Sequence, residues 1–192
     1  MRDDLIITRE IAPLPARADD AHKGTVGRVT IIGGCFDADV AMVGAPALAA
    51  NAAMRAGAGL VQALVPAEIR ASVASMAPVA TARTLPRTAD GILKVLEHYK
   101  TDVVVVGPGL QDTLSGEVVV ELLAGFGGPC VVDADGLNQL AAHRDFDVPQ
   151  PHRIVLTPHV GEAKRLLSAR GDDREISNTP ESRSDAALAL VD

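Results

Sequence analysis

Five short clusters hold the residues of this 192-residue chain that could do chemistry. In Thr157-Pro158-His159-Val160-Gly161-Glu162 a single imidazole stands between an apolar run and a helix start. Such an imidazole can exchange hydrogen bonds with a ligand or move a proton near neutral pH. It can equally be a solvated turn residue, since most loop positions at a sheet rim are scaffold. Asp133-Ala134-Asp135-Gly136-Leu137-Asn138 puts two carboxylates and an amide at the end of another apolar run, a set able to hold a cation or ligand hydroxyls. The alternative is that Asp133 or Asp135 caps the following helix. Acids at alternate extended positions point to opposite sides, so at most one is expected to enter a site directly. Gly107-Pro108-Gly109-Leu110 leaves backbone amides exposed beside a helix, which suits a phosphate or carbonyl, although neither a P-loop nor a dinucleotide fingerprint is present. Gly33-Gly34-Cys35 opens room for a ligand or a second backbone, and turn geometry is the favoured reading. His22-Lys23-Gly24 offers a cation to a phosphate or is simply a solvated arm.

These clusters sit where strand-like runs end. Strands are expected at residues 28–32, 60–65, 103–106, 129–132 and 154–156, the last covered on both faces because it is apolar and β-branched. Helices are expected at 45–56, 92–99, 116–123, 137–142 and from 161. A polar loop over 171–184 precedes a final short helix from 185. Repeated strand-helix-strand order with short connections implies a single α/β domain with a mostly parallel sheet, and no internal repeat is present. Ligands of open α/β sheets bind at the carboxyl ends of the strands, so the glycine loops, the acids and His159 are expected along one rim.

Composition narrows the function classes. With 47% hydrophobic but only 2% aromatic residues, the core must be built from Ala, Val, Leu and Ile, which suits a sheet between helix layers. A net charge of −7 argues against nucleic-acid or anionic-membrane partners. No apolar run approaches the roughly 18 residues needed to span a bilayer, and Arg2-Asp3-Asp4 followed by Leu5-Ile6-Ile7 is no signal-peptide core. Two cysteines, Cys35 and Cys130, lack metal-ligand spacing and fit a reducing compartment, so a cytoplasmic location is expected and no resident metal site is assigned.

Taken in order, the segments resemble one family. His22-Lys23-Gly24-Thr25-Val26-Gly27-Arg28-Val29 leading to Ile32-Gly33-Gly34, then Gly44-Ala45-Pro46 and Ala52-Ala53-Met54-Arg55-Ala56-Gly57-Ala58-Gly59-Leu60-Val61, are similar to the amino-terminal part of the ADP/ATP-dependent NAD(P)H-hydrate dehydratases. The clusters at Gly107, Asp133 and Thr157 follow collinearly, so the resemblance runs from about Ala21 to Leu167. It implies a ribokinase-like fold with helices on both sheet faces. The implied task is nicotinamide nucleotide repair: dehydration of the S epimer of NADHX or NADPHX at the expense of ADP or ATP, with Mg2+. By the same resemblance Ala45, Gly107 or Gly109, and His159 contact the hydrated substrate, His159 through its nicotinamide portion in a cleft near Ala45 and Gly109. Gly34 is a further substrate-binding position, and Asp133, Asp135 and Asn138 shape the surroundings of phosphate or metal. A homo-oligomer and cooperation with an NAD(P)HX epimerase are also implied.

The chain departs from the family pattern in three places. Cys35-Phe36-Asp37 replaces a small polar residue after the paired glycines, and Gln111 replaces a frequent Gly. The family's later Gly-Thr-Gly-Asp turn, whose Asp acts as base, is absent, as is the Lys-Gly strand end before it. The catalytic base is therefore unassigned. Truncation after Asp192 is the expected explanation, with the fragment itself inactive; a member lacking the nucleotide half-site is the alternative. Two other functions stay open: a small-molecule kinase of the hydroxyethylthiazole-kinase type, since fold does not fix the acceptor, and a noncatalytic nucleotide-binding fragment.

Overall fold

Among the described residues six short strands pair in parallel, five of them runs rich in branched aliphatic residues. The computed structural model describes residues 16–143 and 153–191; the stretch 1–15, on which the expectation about a signal-peptide core falls, residues 144–152 and Asp192 lie outside the described residues. The elements are β1 (Arg28–Ile32), α1 (Gly44–Arg55), β2 (Leu60–Val65), α2 (Arg70–Met76), β3 (Thr81–Thr84), α3 (Ala89–Tyr99), β4 (Val103–Val106), α4 (Gly116–Gly125), β5 (Cys130–Val132), α5 (Asp135–Ala142), β6 (Ile154–Leu156), α6 (Val160–Ala169) and α7 (Pro180–Val191). The sheet order is β3-β2-β1-β4-β5-β6.

Alternation across the pleat sends neighbouring residues to opposite cores. Ile31 packs with Ala47, Ala50, Val61 and Val73 under α1 and α2. Ile32 packs with Ile92, Leu96, Leu122, Leu137 and Leu166 under α3 to α6. Each such fully buried Leu or Ile contributes roughly 1.5–3 kcal/mol. Thr88 and Ser115 cap α3 and α4, their hydroxyls accepting from the Gly91 and Val118 amides at 3.2 and 3.4 Å. Register places Leu64, Ile32, Val106, Val132 and Leu156 in one row, so the loops that follow β2, β1, β4, β5 and β6 emerge along a common rim.

Three expectations are corrected. Among the described residues β6 is not covered on both faces: it has a strand neighbour on one side only, and Val155 is 56% exposed. Residues 67–84 hold a helical turn, α2 and β3, none of them expected, because Thr81-Ala82-Arg83-Thr84 is an exposed edge strand without an apolar run and α2 buries little beyond Val73. Helix α7 begins at Pro180 rather than at 185, with the Thr179 hydroxyl accepting from the Ser182 amide at 3.3 Å. A Thr followed by Pro in the first helical position was the signal for that start.

Candidate active site at the strand ends

The winding direction reverses between β1 and β4: β2 and β3 lie on one side of β1, and β4, β5 and β6 on the other. At such a reversal open α/β sheets place their ligand crevice, at the carboxyl ends of the two strands. The glycines there do different jobs. The Gly34 amide donates to the Pro108 carbonyl at 2.9 Å, and a β-carbon on Gly33 would stand 2.3 Å from that oxygen, so the pair serves the close approach of two backbones. The Thr113 hydroxyl adds a bond to the Gly34 carbonyl at 3.2 Å. Gly107, at φ 125°, turns inward: a β-carbon there would lie 1.7 Å from the Asp133 carbonyl. Gly109, at φ 66°, stands against Ala45, whose β-carbon is 3.3 Å from the position a Gly109 side chain would take. Of the two expected glycines, Gly109 is the one that faces Ala45.

A hairpin over residues 35–42 borders this crevice. The Met42 amide donates to the Cys35 carbonyl at 3.0 Å, and the Met42 side chain lies against Gly109. Asp37 closes the tip by accepting from the Asp39 and Val40 amides at 2.7 and 2.8 Å, bonds that hold its carboxyl below the ordinary value. Phe36 and Met42 are half-exposed at its surface. Cys35 beneath it is buried, and burial pushes its thiol up, so it is a poor nucleophile.

The two acids diverge, as alternate positions require. Asp133 turns to the β6 end, accepting from the Thr157 hydroxyl at 2.7 Å. Asp135 turns to the loop after β4, accepting from the Gln111 amide at 3.0 Å and from Asn138 Nδ2 at 3.1 Å. Neither caps α5, whose N-cap is Ala134, in a strained conformation at φ 48°, ψ −121°. Among the described residues no three His, Cys, Asp or Glu side chains gather as a metal site. The carboxylates are engaged by protein donors instead of forming a cation cradle.

His159 is the N-cap of α6. Its Nδ1 accepts from the Gly161 and Glu162 amides at 2.9 and 3.3 Å, while buried Glu162 accepts from the His159 amide at 2.9 Å, completing a capping box. An accepting Nδ1 places the ring proton on Nε2, which lies 3.3 Å from Glu162 Oε1. The imidazole is 68% exposed, which corrects the expectation of a ring enclosed in the cleft. It stands two strands along the rim from β4, roughly 10 Å at ordinary strand spacing, within reach of an extended ligand.

Lys23 and His22 precede β1 and so lie at the opposite end of the parallel sheet, with the backbone of Lys23 packed on Gly59, whose added β-carbon would meet the Lys23 carbonyl at 2.1 Å. That places them away from the strand-end rim and favours the solvated arm. Sequence reasoning missed Thr113, Thr157 as a partner of Asp133, Gln139, which donates to the Gln111 carbonyl at 3.0 Å, and Arg165, which donates to Asn138 Oδ1 at 2.9 Å. The one available signal was Gln111, a side chain where glycine is frequent.

A family model described as NAD(P)H-hydrate dehydratase matches residues 29–191. The chain belongs to the NAD(P)H-hydrate dehydratase family. Relatives of this dehydratase-family chain include the bifunctional NAD(P)H-hydrate repair enzymes Nnr of Moorella thermoacetica, 41% identical over 162 residues, and of Escherichia coli, 40% identical over 158. Each match covers 80% of the chain but 30% or 28% of the relative, so the chain spans under a third of their length. The ADP/ATP-dependent NAD(P)H-hydrate dehydratase from Bacillus subtilis, co-crystallised with ATP and Mg2+, superposes with a TM-score of 0.61 at 28% identity, covering 81% of this chain and 52% of that one. A ribokinase-like superfamily protein from Enterococcus faecalis gives 0.70 at 22% identity over 91% and 58% of the two chains, and shares the fold. The ribokinase-like α/β expectation holds.

Proposed function

We propose that the protein containing this dehydratase-family domain repairs hydrated nicotinamide nucleotides, removing water from the S epimer of NADHX or NADPHX with ADP or ATP as co-substrate. The observation that carries this reading is the Gly109–Ala45 pair at the winding reversal of a chain in this family. Hydroxide is a poor leaving group; transfer of a phosphoryl group from the nucleotide to the ring hydroxyl lets the C–O bond break with loss of phosphate, and loss of a ring proton restores the double bond. Gly109 and Ala45 add little side-chain bulk where the hydrated ring would meet the backbone, beside the Met42 side chain that lies against Gly109, and the exposed imidazole of His159 borders the path of the rest of the dinucleotide. Magnesium, which accompanies ATP in the Bacillus subtilis structure, would arrive with the nucleotide phosphates. The bifunctional names of the relatives support cooperation with an epimerase. Buried, unpaired Cys35 and Cys130 support a reducing, cytoplasmic setting, and among the described residues no helix is long and apolar enough to cross a membrane.

We infer further that this chain is part of a longer protein. Its span of 52% of the Bacillus subtilis chain supports this, as does the in-register row Val105, Val131 and Val155, which is exposed at Val155. The complete protein, given hydrated NADH, ATP or ADP and magnesium, is expected to restore the absorbance of NADH. Phosphorylation of a thiazole alcohol with no action on the hydrate would overturn the assignment. The 192-residue chain alone is expected to bind the hydrate without turnover, because no residue in it matches the expected base. Robust turnover would place the base inside it.

A further inference from the structure

The turn carrying Gly109 runs on to Gln111, a non-glycine residue in the left-handed region at φ 43°. A backbone of this kind persists only where its surroundings over-determine it, and such positions concentrate at functional sites. Gln139 Nε2 donates to the Gln111 carbonyl at 3.0 Å, and the Gln111 amide donates to Asp135 Oδ2 at 3.0 Å. The other oxygen of Asp135 accepts from Asn138 Nδ2 at 3.1 Å, and Asn138 Oδ1 accepts from Arg165 Nε at 2.9 Å. An amide side chain has a donating and an accepting end, so a guanidinium on Oδ1 leaves Asn138 its NH2 for Asp135. That choice turns one Asp135 oxygen to Asn138 and the other to Gln111. A second strained residue, Ala134 at φ 48°, sits immediately before Asp135.

We propose that Arg165 is a positioning residue for the cleft. Through Asn138 and Asp135 it holds the 107–111 turn, and with it Gly109 against Ala45, and it ties that turn to α6, the helix capped by His159. On this account Asp135 orients a backbone amide and is not a ligand of a cation. The identity of the ligand rests on the dehydration reading; the relay itself does not.

The test uses Arg165→Met, with Lys164→Met, an exposed neighbour on the same helix, as the control. Arg165 is also exposed, so its replacement is expected to leave the fold intact. Hydrogen exchange at the Gln111 amide, followed by NMR without ligand, should quicken about tenfold in Arg165→Met and stay unchanged in Lys164→Met. Calorimetric affinity for NADHX should fall roughly 3- to 10-fold in Arg165→Met alone, with the same Mg2+ dependence as the parent chain. Unchanged Gln111 exchange in Arg165→Met overturns the relay, as does an affinity loss that added Mg2+ reverses. A parent chain that fails to bind NADHX while Arg165→Met still quickens Gln111 exchange defeats the substrate reading and leaves the relay standing.

Discussion

The imidazole of His159 is divided between protein and solvent: Nδ1 caps α6 and Nε2 lies 3.3 Å from Glu162 Oε1, while the ring is 68% exposed. Substitution can separate these roles because Asn is among the best N-caps and lacks the distal ring nitrogen. His159→Ala is expected to lower stability by about 1 kcal/mol, whereas His159→Asn should stay within about 0.5 kcal/mol of the parent in urea unfolding. Both should weaken binding of the hydrate by about 1 kcal/mol, the worth of one exposed hydrogen bond, and leave ATP binding unchanged by calorimetry. An Asn variant that binds the hydrate at full strength would return His159 to the scaffold. Ala134 offers a test of strain. Its φ of 48° with ψ of −121° is open to glycine at little cost, so Ala134→Gly should raise the urea midpoint by an amount equivalent to about 1 kcal/mol. A lower midpoint would show that the turn carries no such strain.

Strand β5 buries Cys130, and burial pushes that thiol from 9.0 to about 11. Because the folded chain holds this proton more tightly than the unfolded chain, the associated stability is complete below pH 9 and is lost as pH rises toward 11. The loss amounts to about 2–3 kcal/mol, and the alkaline slope should become shallower by that amount in Cys130→Ala, with the raised thiol of Cys35 supplying part of the remainder. Equal slopes in the two proteins would contradict a buried, protonated thiol. Legibility at this scale followed burial. β1, β2, β4 and β6 were read to the residue because each is a short run dominated by Val, Ile and Leu and bounded by glycine, proline or polar residues. The polar edge strand β3 and the two-turn helix α2 were missed because neither carries a period of its own, and the sheet edge alone gives them their conformation.

Over the whole molecule, helices cover the two faces of the sheet unevenly. α1 and α2 lie over β1 and β2, while the same face of β6 presents Val155 to solvent. If the longer protein supplies the missing cover, Val155→Thr separates the two contexts. In this chain it should change stability by no more than about 0.5 kcal/mol, as an exposed substitution does. In the longer protein it should cost about 1–2 kcal/mol, because a hydroxyl would then be buried without a partner. Identical effects in chemical unfolding of both proteins would mean that this face stays open.

The alternation of elements, the parallel sheet and the ordered clusters at the strand ends were determined by the chain's own pattern, because every strand except the edge strand β3, and each glycine turn, is encoded within a few residues of itself. Membership of the dehydratase family followed from the same clusters, since their collinear order survives without any knowledge of contacts. Tertiary structure decided the rest. Gly107 and Gly109 are alike in sequence, yet the first is closed against the Asp133 carbonyl and the second faces Ala45. Lys23, next to the first strand in sequence, was carried to the opposite rim by the parallel direction of that strand. Asp135 reaches Gln111 across 24 residues and Asn138 meets Arg165 across 27, contacts that exist because β4, β5 and β6 lie side by side and lift their loops to one height. Local periodicity specifies an element, but the partner of a side chain is set by which strands the sheet places next to each other.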